Sequence, residues 1–342
     1  MSSKTSIAGA VGFGHQSAKD AVATSFLYLP ATSVNVNPTQ NAQTLPPEVG
    51  GDYFLRGSYK ASVMGSGNVA CVVRPTGLGH LLLMLCGVDT VTNPTSGVYQ
   101  HTFTPFLAGS GNDLPWYTVN KDVSGLYADQ FLNTRVGSLS FDVSRASIMT
   151  AQMSLLATTP STVTSASLGT KTFDTSPQFQ TCSATVALTQ EGGSTISSNA
   201  NKVERFALAF NNNLSNDELS VGNYYLDDIT LLQRTVTVDM DFIVRDAALY
   251  QAVYLNGGSI PSAWSPILYR GTLALTLTGT SNIPTSSTPY SCVFNFPGLD
   301  FLMMPTGLQG AELVRATLST QVTLGTAGDR FNVVLTNGTA SY

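Results

Sequence analysis

The chain states one pattern twice. Val49-Gly50-Gly51-Asp52-Tyr53-Phe54-Leu55, running on to Val72-Val73-Arg74, returns as Val221-Gly222-Asn223-Tyr224-Tyr225-Leu226, running on to Ile243-Val244-Arg245. Arg74 follows Val49 by 25 positions and Arg245 follows Val221 by 24, so one insertion or deletion separates the copies. A repeat of roughly 170 residues is too long for a solenoid unit and has the size of a whole domain. The chain therefore reads as a tandem duplication whose copies play equivalent parts in an object with rotational symmetry. The expected limits are an N-terminal arm over 1-48, a first copy over 49-157 and a second over 163-342. The Ser/Thr-rich stretch Thr158 to Thr162 has the composition of a linker between them.

The periodicities are mostly those of strands. Leu139, Phe141 and Val143 alternate with Ser138, Ser140 and Asp142, and beyond a polar turn Met149, Ala151, Met153 and Leu155 alternate with Thr150, Gln152 and Ser154. That is a half-buried hairpin. Two segments have a helical period instead, and they are the repeated ones after Arg74 and Arg245. Leu78, Leu81, Leu82 and Leu85 make one stripe of a helix over Leu78 to Cys86, and Leu249 to Asn256 is its counterpart. Pro75 and Asp246 suit first turns, while Gly87 and Gly258 suit left-handed caps. The expected fold is mainly β: two tandem β-sandwich or barrel domains, each with one flanking α-helix. Residues 1 to 48 and the turn-rich stretch Phe106 to Gln130 stand outside this plan and are expected to touch neighbouring subunits.

Composition narrows the function. Only 11% of residues are charged, against about 25% in ordinary globular domains. Much of the surface is therefore Ser, Thr, Asn, Gln and Gly, which suits a protein that covers its faces with copies of itself. The net charge of -5 argues against a surface that grips phosphates. Leu81 to Leu85, the longest apolar run, is far short of the roughly 20 residues of a membrane span. The first ten residues make a poor signal peptide, so synthesis in a cytosol is expected. Cys71, Cys86, Cys182 and Cys292 lie far apart and read as free, buried thiols.

No catalytic, metal or cofactor constellation can be assembled, so the chain reads as a non-enzyme. His15, His80 and His101 sit in three unlike contexts and are expected to be structural. Asp227-Asp228 and Asp239-Met240-Asp241 lack the loop spacing of a calcium site. The sequons at Asn213 and Asn337 read as coincidence in a chain so rich in Asn, Ser and Thr.

Further segments carry a resemblance. Gly12-Phe13-Gly14-His15-Gln16-Ser17-Ala18-Lys19 opens the chain in the manner of a G-x-G-x-Q-x-A-K start. There follow Gly77-Leu78-Gly79-His80-Leu81-Leu82, Gly97 to Thr104, Arg135 to Phe141, and Phe206 to Leu214 with its run of Asn211-Asn212-Asn213. In this order, over most of residues 9 to 245, the sequence resembles the tail tube proteins of long-tailed, non-contractile bacteriophages. The resemblance implies a structural virion protein of the tail, assembled in the host cytoplasm, whose rings stack into a hollow conduit for genome ejection. Its partners would be other copies of itself, tape measure and tail terminator proteins, and DNA that passes without specific binding.

The resemblance also implies rings of sixfold or pseudo-sixfold symmetry, so a chain with two copies is expected to form a homotrimeric ring with pseudo-sixfold symmetry. In the strand Thr235 to Val244, Thr235, Thr237, Asp239 and Asp241 form the polar face and are the candidate lumen residues. The aligned positions of the first copy, Met64, Ser66, Asn68 and Ala70, are uncharged. A different reading is a carbohydrate- or receptor-binding β-sandwich, an adhesin or tail-tip protein, using Trp116, Tyr117 and Trp264.

Overall fold

A computed structural model describes all residues except 1–4, 50, 52–53, 108–112, 191–194, 197–201, 257–259, 261–262, 285, 309 and 311. Gly50, Asp52 and Tyr53 of the first repeat, and the expected cap Gly258, lie outside the described residues. In chain order the first half holds β1 (Ala10–His15), β2 (Leu27–Leu29), β3 (Ala31–Thr44), β4 (Ser58–Val72), α1 (Pro75–Cys86), β5 (Gly87–Thr95), β6 (Val98–Pro105), β7 (Tyr117–Val123), β8 (Tyr127–Ser144) and β9 (Thr150–Val163). The second half holds β10 (Ala184–Gln190), β11 (Thr195–Ile196), β12 (Lys202–Asn211), β13 (Leu214–Ser215), β14 (Thr230–Leu231), β15 (Thr235–Ile243), α2 (Ala248–Leu255), β16 (Arg270–Asn282), β17 (Pro289–Met303), β18 (Thr306–Gly307), β19 (Arg315–Val322) and β20 (Asn332–Asn337). All of the strands but the β13–β14 pair belong to one antiparallel hydrogen-bonded network, which does not close into a barrel among the described residues.

The two halves share a wiring. In the first, β3 pairs with β4, α1 follows β4, β4 pairs with β9 and β9 with β8. In the second, β12 pairs with β15, α2 follows β15, β15 pairs with β19 and β19 with β17 and β18. Even the irregularities coincide. The β3–β4 register shifts between Ala31 and Ser33, opposite Cys71 and Ala70, and the β12–β15 register between Val203 and Arg205, opposite Phe242 and Asp241. A second shift, between Val136 and Ser138 on β8, has its counterpart between Phe301 and Met303 on β17. A bulge re-aims the strand that carries it, so matched bulges bend both halves alike.

The layers follow from alternation. Val236, Val238, Met240 and Phe242 are buried, and their chain neighbours form the half-exposed face. Leu139 and Phe141 on β8 and Phe206, Leu208 and Phe210 on β12 bury the same side. One layer thus runs β3–β4–β9–β8–β12–β15–β19–β17 without a break. The other runs β5–β6–β20–β17–β16–β10. Aromatic rings fill the space between them: Phe141 and Phe294 lie 5.5 Å apart, and Phe210 and Phe331 5.3 Å. The halves are joined at two seams, β8 to β12 and β6 to β20, and share one core.

α1 starts with Pro75 at its first turn and ends at Gly87, whose φ of +87° needs a residue without a side chain; its N–H donates to the Leu83 carbonyl. It is buried on nearly all sides, not along one stripe. Asp246 accepts from the Ala248 N–H at 3.0 Å at the start of α2, and the left-handed cap there is Asn256, at φ +48°.

Four expectations need correction. Thr158 to Thr162 is not a linker: it lies within β9 and pairs with β8. Residues 10–44, expected as an arm, form β1, β2 and β3 of the chain's own sheets. Within Phe106 to Gln130, Tyr117 onward is a paired hairpin of β7 and β8. Cys71, Cys86 and Cys292 are buried free thiols, but Cys182 is exposed.

Candidate assembly surface

The unbroken layer presents one uncovered face. Across its width lie Asn35 on β3, Asn68 on β4, Ser154 and Gln152 on β9, Ser140 and Asp142 on β8, and Ala207 on β12. Thr237, Asp239 and Asp241 on β15 continue it, followed by Ser319 and Gln321 on β19. Thr235 is exposed at the end of the same row. The four residues singled out in the sequence therefore share one face with their counterparts Ser66, Asn68 and Ala70 at the aligned bulge-to-helix positions.

Arg205 is what inspection of a single strand misses. It stands opposite both Ser144 and Asp241; its Nε donates to Asp142 Oδ2 at 2.7 Å, and Asp241 Oδ2 lies 4.0 Å from its Nη1. The Asp142 hydrogen bond, with the charges of Asp142, Asp241 and Asp239, raises the Arg205 pKa against the opposing effect of burial. Thr317 Oγ1 donates to Asp241 Oδ1 at 2.7 Å. At the rim, Glu204 bridges Arg145 and Arg315, each at 2.9 Å. The face is thus an uncharged polar field crossed by one band in which carboxylates and guanidiniums nearly balance. The signal was present as the alternation Arg205, Ala207, Ala209 against Phe206, Leu208, Phe210, but its partners lie more than 30 residues away in sequence.

Two edges and two tips complete the surface. Among the described residues β3 pairs along β4 and has no strand partner on its other edge, where Lys121 Nζ donates to the Val36 carbonyl at 2.9 Å and to Asn37 Oδ1 at 2.7 Å. β17 is covered by β16 as far as Asp300. β3 and β4 also run past the sheet as a two-stranded ribbon, whose tip exposes Val49, Phe54 and Leu55. The second copy of the motif lies in the matching loop between β12 and β15, where Val221 is exposed and the Tyr224 carbonyl accepts from the Val63 N–H of that ribbon at 2.8 Å. The sequence repeat therefore marks corresponding hairpin tips.

Other candidates are absorbed by the fold. His101 is fully buried, with Nδ1 2.8 Å from Asp89 Oδ2 and Nε2 2.7 Å from the Thr339 carbonyl. Burial opposes its charged form, but the Asp89 hydrogen bond, the carbonyl and the Asp89 charge together raise its pKa. Tyr342 lies 4.7 Å from it, ring to ring, so the imidazole is enclosed by its own chain. Burial pushes His80 down to about 4. Tyr117 is buried, and the Arg135 guanidinium covers the Trp116 ring at 3.6 Å. Trp264 is exposed and stacks on Tyr254. Asp228 pairs with Lys19 at 3.6 Å. No described helix is long and apolar enough to cross a membrane.

A layered antiparallel sheet, apolar within, whose open polar face carries one band of nearly balanced charge and whose edge at β3 has no strand partner, has the architecture of a structural protein. The family model described as phage tail tube protein matches residues 8–329, nearly the whole chain, and the chain belongs to that family. It is a structural component of the virion tail. Comparison with curated proteins found no match.

Proposed function

We propose that three chains close into a ring of six near-equivalent sectors, and that rings stack into the hollow tube through which the genome leaves. Matched wiring and matched bulges support reading the chain as a tandem duplication, with one copy built around β3 to β9 and the other around β12 to β19. The observation that carries the proposal is the strand order β3–β4–β9–β8–β12–β15–β19–β17, which passes from one copy to the other without a break. A layer with such an order extends around a circle by repeating its own internal join. Closed rings need heterologous contacts of this kind.

In this arrangement the uncovered face lines the bore, with Thr235, Thr237, Asp239 and Asp241 among its residues. Asn, Ser, Thr and Gln there offer DNA no dense array of cations, so the duplex slides without being held. The ribbon tip with Phe54 and Leu55 is the contact to the adjacent ring. Tape measure protein would occupy the bore during assembly in the host cytoplasm, and a terminator would cover the last ring. Negative-stain microscopy with mass measurement of the smallest assembly tests the reading. Rods, and a ring with the mass of three chains, are expected; chains that remain monomeric, or a ring of six full-length chains, would count against it.

A further inference from the structure

We infer that the open edge of β3 adds to the segment Met303 to Leu308 of the next copy, antiparallel and in one fixed register, and that this seam is weaker than the one inside the chain. The inference rests on the tube reading above and goes beyond it by naming the paired residues.

The register comes from the chain's own internal join. Within one molecule β12 lies on β8 with Ala207 opposite Asp142, Leu208 opposite Phe141 and Phe206 opposite Val143. The matched bulges give each of these residues a counterpart. Through the shared partners on β4 and β15, Val34, Asn35 and Val36 correspond to Phe206, Ala207 and Leu208. Through the shared partners on β9 and β19, Phe141 and Asp142 correspond to Thr306 and Gly307: Phe141 and Asp142 face Ala151 and Thr150, while Thr306 and Gly307 face Ala316 and Arg315. Val143 then corresponds to Leu308. Transferring the internal join to the next copy sets Asn35 opposite Gly307, Val36 opposite Thr306 and Val34 opposite Leu308.

Burial supplies an independent observation. Val143 is 4% exposed and the Phe206 that faces it 3%, whereas Leu308 is 85% exposed. A leucine in the open at the counterpart of a core position lacks the strand that covers its equivalent. Val34, on the open β3, is the residue the register brings to it.

The weakness follows from two prolines. Pro38 and Pro305 fall within the inter-chain segments, and the internal segments Arg205 to Asn211 and Ser138 to Ser144 contain none. Proline has no N–H to give to a ladder and is tolerated at strand edges. The internal seam therefore forms with folding, and the inter-chain seam later, under the control of concentration.

The test is cysteine pairing across the proposed seam, in a background carrying Cys182→Ser. Gly307 has nothing within 4 Å of where a Cβ would stand, so Gly307→Cys introduces no clash. Combined with Asn35→Cys, mild oxidation of assembled protein should convert most chains to a covalently closed trimer on a non-reducing gel. The pair Gly307→Cys with Asn37→Cys, offset by two residues, should give roughly tenfold less, because its Cα atoms stand beyond disulfide reach. Leu308→Asp should leave the melting temperature of the monomer unchanged and abolish assembly. Tubes in which the matched pair does not cross-link, or cross-links no better than the offset pair, overturn the seam while leaving the tube reading intact, and so does normal assembly of Leu308→Asp. Unmodified protein that never assembles overturns both.

Discussion

Arg205 donates to Asp142 across the internal seam, Nε to Oδ2 at 2.7 Å, so that the cation at the middle of the open face is already committed to a carboxylate. Reversing its neighbours should change what the face does to DNA. With Asp239→Lys and Asp241→Lys together, assembled tubes should retain duplex DNA at low salt and release it as ionic strength rises, because phosphate neutralisation depends steeply on salt. Tubes of the unmodified protein should show no such retention in the same sedimentation assay, and particles carrying the variant should eject more slowly.

His101 gives the fold a pH dependence with a definite sign. Its folded pKa is raised, chiefly because Asp89 and the Thr339 carbonyl outweigh the cost of burial. The protonated form is the one the fold favours. The contribution is therefore complete below the unfolded value of about 6.5 and is lost as pH rises through the higher folded value. Thermal melting from pH 5.5 to 8.5 should show this decline, and His101→Asn should remove the dependence while lowering stability on the acidic side.

Gly79 is held to its type by Tyr342. A Cβ there would stand 1.9 Å from Tyr342 Cζ, and Asn337 Nδ2 donates to the Tyr342 hydroxyl. Gly79→Ala should displace the tyrosine, at a cost of about 1 to 3 kcal/mol for overpacking, partly offset by the better helix propensity of alanine. With Tyr342→Ala also present the substitution should become neutral or stabilising; urea denaturation of the two single variants and the double variant measures that coupling.

Phe141 ties the halves together, touching Phe210 at 6.1 Å and Phe294 at 5.5 Å. Because the core is shared, calorimetry should record one unfolding transition, with calorimetric and van't Hoff enthalpies in agreement. Phe141→Ala should lower stability by about 3 to 5 kcal/mol and move that single transition without splitting it. Two separate transitions would mean that the copies are energetically independent.

The sequence was legible where local pattern and tertiary environment agree. The hairpin of Leu139 to Leu155, the helix after Arg74 and the cap at Gly87 all follow from periodicity and from residues with special backbone preferences. β3 was not legible: Asn35, Asn37, Thr39 and Gln40 place polar side chains on a strand whose ribbon projects into solvent, so only Val34 and Val36 mark a buried side. Thr158 to Thr162 misled for a related reason. Its strand character comes from Phe131 and Leu132 on β8, and composition carries no record of that partner. Thr235, Thr237, Asp239 and Asp241 on β15 share one face, as their alternation requires, but the charge of that face depends on Arg205 and Asp142, which only strand pairing brings alongside.

The placement of β20 has a consequence in time. This strand inserts between β6 of the first half and β17 of the second, and the residues after it pack against α1 through Tyr342 and Gly79. A ribosome has made β1 to β19 before it makes this strand. The layer β5–β6–β20–β17–β16–β10 therefore stays open at its middle until β20 leaves the exit tunnel. Until then the two halves can meet along β8 and β12 alone, and the second seam closes only after both halves exist.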